Sequence, residues 1–272
     1  MTQQDIDASE APLIEHLIEL RKRLIYCVLG FIAAFIFSFV FSSDILHYLI
    51  LPFKWATGED VTLISIKLLG VFLVKLKIAF FGGLFIGFPL IATQIYRFVA
   101  PGLYKHEKQA FLPYLVATPV FFLLGAALVY FFLLPVAIHF FYALAAGAST
   151  EGQGIELMPD IEAYLDFVMM LILAFGLCFQ LPVILTLLGQ IGVVSYDQLR
   201  SGRKFAIVGV FVVAAILTPP DPISQIAMAV PLMGLYEVSV QAVRFLEHRR
   251  RKKQEAEDAR EAAEAKAAAE KA

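Results

Sequence analysis

Few side chains in this 272-residue chain are equipped for chemistry, and those few are carboxylates and amides rather than nucleophiles or metal ligands. Glu19 is followed by Arg21, Lys22 and Arg23, and Glu107 lies between Lys105 and Lys108. The plain reading of each is a solvated carboxylate; Glu15 lies one helical turn before Glu19, and Arg23 one turn after it is within pairing reach. The sharper reading has Glu19 and Glu107 jointly receiving a cationic ligand. Two carboxylates suit two guanidinium groups, because arginine meets a carboxylate through a planar fork and does not shed its proton. Gln180, Gln225 and Glu237 fall inside apolar stretches, where a polar group must face protein or water rather than lipid. Glu237 stays open between a carboxylate reaching toward the interface near Arg244 and a working group. Asp221 stands where one apolar run ends, and Asp160 and Asp166 where another begins. No phosphate-cradling glycine loop, ligand cluster or nucleophile constellation occurs, and the five histidines are scattered, so no metal and no cofactor is expected. Work must come from binding, from partner proteins or from an ion gradient.

The elements that position these groups are apolar runs: 24–41, 78–95, 114–134, 167–188, 205–217 and 223–243. Basic residues collect in every second connection: Arg21 to Arg23, then Arg97, Lys105 and Lys108, then Arg200, Arg203 and Lys204, then Arg244 and the 249–253 cluster. The connection 135–160 has none. The positive-inside rule therefore predicts six transmembrane helices with both termini in the cytoplasm, and places Glu19 and Glu107 on the same side. Three parts are expected: a cytoplasmic segment 1–23 with an interfacial helix that turns into the first span, a six-span domain 24–245, and a charged tail 246–272, either a solvated helix or disordered. The basic start of that tail would rest against anionic lipid.

Local signals refine this. Gly83 and Gly87 form a small-xxx-small pattern that lets helices approach closely, and Pro89 predicts a kink. Lys75 and Lys77 would snorkel to the outer interface. The fifth run is short: about 13 residues reach only ~20 Å, against a hydrocarbon core of about 30 Å. It then meets Thr218-Pro-Pro-Asp221-Pro, where a helix must stop. It is either a re-entrant segment or a crossing that thins the bilayer, and the charge placement favours crossing.

Composition agrees, with 60% hydrophobic and 17% charged residues against roughly 45–50% and 25% in soluble chains. The formal charge of −2 argues against nucleic acid as a partner. Cys27 and Cys178 lie in separate apolar runs and read as thiols rather than a disulfide.

The segment His16-Leu-Ile-Glu19-Leu-Arg21-Lys-Arg23-Leu24 resembles the N-terminal motif of the TatC family, the multi-spanning core subunit of the twin-arginine protein translocase. Phe98-Val-Ala-Pro101-Gly-Leu-Tyr104-Lys-His-Glu107 and Leu217-Thr-Pro-Pro-Asp221-Pro-Ile-Ser-Gln225 are similar to two further blocks. So are Asp160-Ile-Glu-Ala-Tyr164 and Phe175-Gly-Leu-Cys-Phe-Gln180-Leu-Pro182, and all stand in family order. The resemblance implies a concave, glove-like bundle with two short C-terminal spans in the bacterial cytoplasmic membrane, without enzymatic chemistry. It implies recognition of the twin-arginine motif of signal peptides on folded cargo, single-span TatA- and TatB-type partners in a multimeric complex, and transport driven by the protonmotive force. The family's signal-binding acids fall on Glu19 and Glu107; Arg21, Pro52, Phe98, Tyr104, Asp221 and Gln225 match other positions tied to function. Gln180 stands where the family often has a glutamate, and an amide does not titrate at ordinary pH.

A function of another class, an ion-coupled solute transporter with Glu237, Gln180 and Gln225 at the midplane, is set against this. Such transporters often have related halves with interrupted helices in corresponding places. The halves here differ in loop length, and no internal repeat is visible.

Overall fold

The computed structural model describes residues 3–58, 63–99, 108–148, 159–217 and 222–269. Among these residues the chain is all helix, apart from one isolated bridge between Ile64 and Asp160. It divides into two compact units, Met1–Gly176 and Leu177–Ala272. Five helical stretches are long and apolar enough to cross a membrane: His16–Val40, Gly70–Phe98, Pro113–Ala145, Ile161–Gln190 and Gln225–Ala256. Their outward faces carry large apolar side chains, such as Leu24, Val40, Phe131 and Val230, each more than half exposed. Only lipid makes such a surface tolerable, so the chain is a multi-span membrane protein.

In the first unit, α1 (Gln3–Val40) is one unbroken helix of 38 residues, about 57 Å long. The predicted turn between an interfacial helix and the first span is absent. No proline or glycine interrupts residues 13–29, and nothing else in that stretch compels a bend. α1 packs along α3 (Gly70–Val99). A Cβ on Gly83 would stand 3.1 Å from both the Cα and the nitrogen of Phe35, so only glycine allows this approach. Gly87 is looser, its Cβ position 3.9 Å from the Phe31 Cα.

α2 (Ser42–Thr57) contains Pro52 in its interior. Proline has no N–H for the carbonyl of residue 48, and its ring pushes that carbonyl aside. Two tyrosines repair the gap. The Tyr130 hydroxyl donates to the Tyr48 carbonyl at 2.6 Å, and the Tyr164 hydroxyl to the Leu49 carbonyl at 2.8 Å. Tyr130 lies in a π-helical turn, Val129–Leu133, that joins α4 (Lys108–Leu128) to α5 (Leu134–Ala148). Pro135 follows directly, and the wider turn gives its ring room. Phe53 completes the junction edge-on to Tyr142 and Tyr164, at 5.8 and 5.3 Å between ring centres.

The end of this unit that charge placement assigns to the outside is held by ions. Ile64 accepts from the Ile161 N–H at 2.9 Å and donates to the Pro159 carbonyl at 3.2 Å, bringing the start of α6 (Ile161–Cys178) beside the start of α3. Glu162, whose side chain is only 10% exposed, then sits 2.9 Å from the Lys67 Nζ and 3.0 Å from the Lys77 Nζ. Lys77 also lies 2.8 Å from the Asp166 carboxylate. Lys77 is thus a partner of two acids rather than a side chain snorkelling alone.

In the second unit, α7 (Leu181–Gln190) follows α6 after a break at residues 179–180. Pro182 near its start has no N–H for the Cys178 carbonyl, which forces the interruption. α8 (Tyr196–Leu217) begins nine residues ahead of the apolar run because Ser195 and Gln198 form a capping box. The Ser195 hydroxyl accepts from the Gln198 N–H at 3.3 Å and the Gln198 side chain accepts from the Ser195 N–H at 2.9 Å. α7 and α8 both pack on α9 (Pro222–Ala269), around Leu199, Val240 and Val243. The tail, for which helix and disorder were both open, is helical to Ala269.

Tyr164→Phe keeps the ring and removes the donor to the Leu49 carbonyl beside Pro52. It is expected to cost about 1–2 kcal/mol, read as a lower thermal midpoint of the detergent-solubilised protein, with helix content by circular dichroism unchanged.

Candidate functional site

Glu19 is presented on α1 by the regular rise of that helix, which brings Arg23 onto the same face one turn later. The Arg23 guanidinium addresses a single oxygen of Glu19: its Nε lies 3.1 Å from Oε1, and Nη2 contacts the same atom. The other oxygen, Oε2, has the His16 Nδ1 at 4.0 Å, beyond hydrogen-bond range. One third of the Glu19 side chain is exposed. The carboxylate is therefore charged, accessible and half committed.

Phe98, at the end of α3, meets this face from another part of the chain. Its ring stacks on the His16 imidazole with centroids 4.2 Å apart and planes 19° apart. The end of α3 is itself anchored on α4: the buried Thr118 hydroxyl lies 2.8 Å from the Tyr96 hydroxyl and 2.9 Å from the Tyr114 carbonyl. Glu19, His16 and Phe98 thus form one surface, with Arg21 exposed nearby on α1. Glu107 and Tyr104 lie outside the described residues, as does Asp221.

The remaining candidates are dispersed. Pro52 is buried in the α2 junction, where its effect is on backbone pairing. Gln180 is buried at the break between α6 and α7, in right-handed helical geometry. Gln225 donates to the Phe211 carbonyl at 3.2 Å, fastening α9 to α8. Glu237 finds its cation on α8: the Arg203 Nη2 donates to its Oε1 at 2.6 Å, and Gln241 donates to the same oxygen at 2.8 Å. Arg244, the neighbour considered from sequence, lies instead over the Tyr196 ring at 5.6 Å. The Tyr236 hydroxyl donates to the Leu199 carbonyl at 2.8 Å, and the Tyr196 N–H to Glu247 at 2.8 Å. Together these contacts clasp the first two turns of α8 to α9. Glu237 serves that clasp, which counts against a midplane solute site.

Glu162, Tyr130, Tyr164 and His16 carry no individual role in the sequence reading, although all but Tyr130 stand within the family-like blocks. The capping box that starts α8 was legible as Ser195-Tyr-Asp-Gln198. No local signal joins Glu162 to lysines 85 and 95 positions earlier, or His16 to Phe98. Both cysteines are free thiols, and no group of three His, Cys, Asp or Glu side chains suited to a metal occurs among the described residues.

Long apolar helices with large apolar side chains on their outward faces define a polytopic helical membrane protein. The family model described as "Sec-independent protein translocase protein (TatC)" matches residues 15–231. The chain belongs to the TatC family. It is 44% identical over 255 residues to a protein of that name from Magnetococcus marinus, covering 94% of this chain and 92% of the relative. The Escherichia coli TatC protein is 38% identical over 246 residues, covering 90% and 92%. A crystal structure described as the twin arginine translocase receptor TatC superposes with a TM-score of 0.71 at 34% identity, covering 85% of this chain and 99% of that one. A second, of the same receptor in the detergent DDM, gives 0.72 at 36% identity, covering 83% and 97%.

Glu237→Ala and Arg203→Ala should each loosen the α8–α9 clasp, and the double variant should be no worse than either alone. A double-mutant cycle on thermal stability is expected to return a coupling of about 0.5–1 kcal/mol; full additivity would separate the two side chains energetically.

Proposed function

We propose that this chain is the signal-peptide receptor and core subunit of a twin-arginine translocase, which takes the paired arginines of a signal peptide on Glu19 and Glu107. Six spans with both termini in the cytoplasm, in a bacterial inner membrane, put the two acids on the side where folded cargo arrives. TatA- and TatB-type single-span proteins then join it in a multimeric complex, and the protonmotive force drives transport. The chain acts by binding and assembly rather than as an enzyme. The two short C-terminal spans and the concave, glove-like bundle belong to the same reading.

The observation that carries the proposal is the state of Glu19. Its carboxylate is accessible, it already holds one guanidinium in cis, and one of its oxygens remains open. The family relatives and the solved structures described as a twin arginine translocase receptor support the receptor reading. Arg21 beside Glu19 and Tyr104 close to Glu107 belong to the same face in this reading. Pro52, Gln180, Asp221 and Gln225 act at a distance from it, through the shape of the spans that carry them.

The test is binding of a labelled twin-arginine signal peptide to the purified protein in detergent, against the same peptide with both arginines changed to lysine. The arginine peptide is expected to bind at least about tenfold more tightly, since a planar guanidinium offers several donors in a fixed geometry that a point charge lacks. Glu19→Ala with Glu107→Ala should abolish the preference. Equal binding of both peptides, or unchanged binding by the double variant, overturns the assignment of the acids.

A further inference from the structure

We propose that His16, stacked on Phe98, is a specificity-determining residue of the receptor face, and that arginine is told from lysine on this aromatic pair as well as on the acids. The inference rests on the reading of Glu19 as a ligand-binding carboxylate and adds a partner to it.

The geometry leads there in steps. Arg23 occupies Oε1 of Glu19 with two nitrogens, so an incoming cation meets Oε2 first. The His16 Nδ1 lies 4.0 Å from Oε2. A planar cationic group accepted by Oε2 is therefore within reach of the imidazole. One face of that ring is covered by Phe98 at 4.2 Å in a near-parallel stack, and half of the His16 side chain is exposed among the described residues.

An ammonium and a guanidinium are equally able to satisfy a single open oxygen. They differ in what they do with the ring. A guanidinium is a weakly hydrated plate that lies flat on an aromatic face, whereas an ammonium is a compact, strongly hydrated point charge. With Oε1 already taken, the carboxylate cannot offer both oxygens in a fork unless Arg23 lets go, so at this acid the ring must supply part of the discrimination. Phe98 acts through His16: it holds the imidazole plane in place, 82 residues away in sequence, and the Tyr96–Thr118–Tyr114 contacts hold the end of α3 that carries it.

The experiment uses the full-length protein in detergent and the same two peptides, twin-arginine and twin-lysine. His16→Ala is expected to weaken the arginine peptide about three- to tenfold and leave the lysine peptide within twofold, so the ratio of the two affinities falls. His16→Phe, which keeps the ring and loses the nitrogens, is expected to restore the ratio. A purely structural role would weaken both peptides equally and leave the ratio unchanged, and that result overturns the proposal. So does a lowered ratio that His16→Phe fails to restore, since the ring face would then not be the agent. Glu19→Ala separates the two levels: if it leaves the arginine peptide bound as before, the receptor reading of Glu19 fails. If it weakens binding while His16→Ala leaves the ratio intact, only the stacking role is lost.

Discussion

Inside an apolar slab a backbone carbonyl has no water to turn to, and this requirement governs where the helices of this protein bend and what they touch. Proline falls where a helix would otherwise run on at Pro52, Pro135 and Pro182, and each has a local or distant remedy. Beside Pro52 the remedy comes from Tyr130 and Tyr164 on other helices. Before Pro135 it is a π-helical turn, whose last amide reaches back five residues to the Val129 carbonyl. Before Pro182 the helix breaks and restarts. At Pro89 the helix runs on, and the Thr93 hydroxyl one turn later donates to the carbonyl of Pro89 at 2.7 Å. Kinks and contacts are two consequences of one rule.

Charges follow a complementary rule. They are costly at the bilayer centre and tolerable near its faces, so the ionic contacts lie near helix ends. Lys67, Glu162, Lys77 and Asp166 fasten one end of the first unit. Arg203 with Glu237, and Glu247 on the Tyr196 amide, fasten the start of α8 to α9 in the second. Between such ends the packing is dry: Val74, Ile78, Leu165, Val168, Leu171 and Phe175 are almost wholly buried. Glu19 differs from Glu162, Asp166 and Glu237 in pairing within its own helix, with Arg23 one turn on, rather than with a cation on another helix.

Much of this was legible in the residue order, for physical reasons. Apolar run length and loop charge are one-dimensional properties, so the helical membrane class could be read directly; six runs were read as spans, and five helical stretches among the described residues are long and apolar enough to cross. The close approach at Gly83 was visible because a small-residue spacing encodes contact on one helix face. The unbroken α1 was not, since an interfacial turn was inferred from a change in polarity, and polarity does not bend a helix without a breaker. Glu237 stayed open between an interfacial carboxylate and a working group, because its partner Arg203 lies on a different helix. The ionic network of Glu162 and the stack of His16 on Phe98 depend on segments 80 or more residues apart, and no period or motif records such a meeting.

The tyrosine repair of α2 also sets an order of events during synthesis. The hydroxyl that meets the Tyr48 carbonyl is 82 residues further along the chain, and the one that meets the Leu49 carbonyl is 115 further. At about 5–20 residues per second a ribosome needs roughly 6–23 seconds to make that second interval. Until then the α2 junction is incomplete: the Tyr48 carbonyl, left without an amide partner by Pro52, waits for Tyr130, and the Leu49 carbonyl for the added bond from Tyr164. The junction around Pro52 therefore closes only after the chain has been made through residue 164.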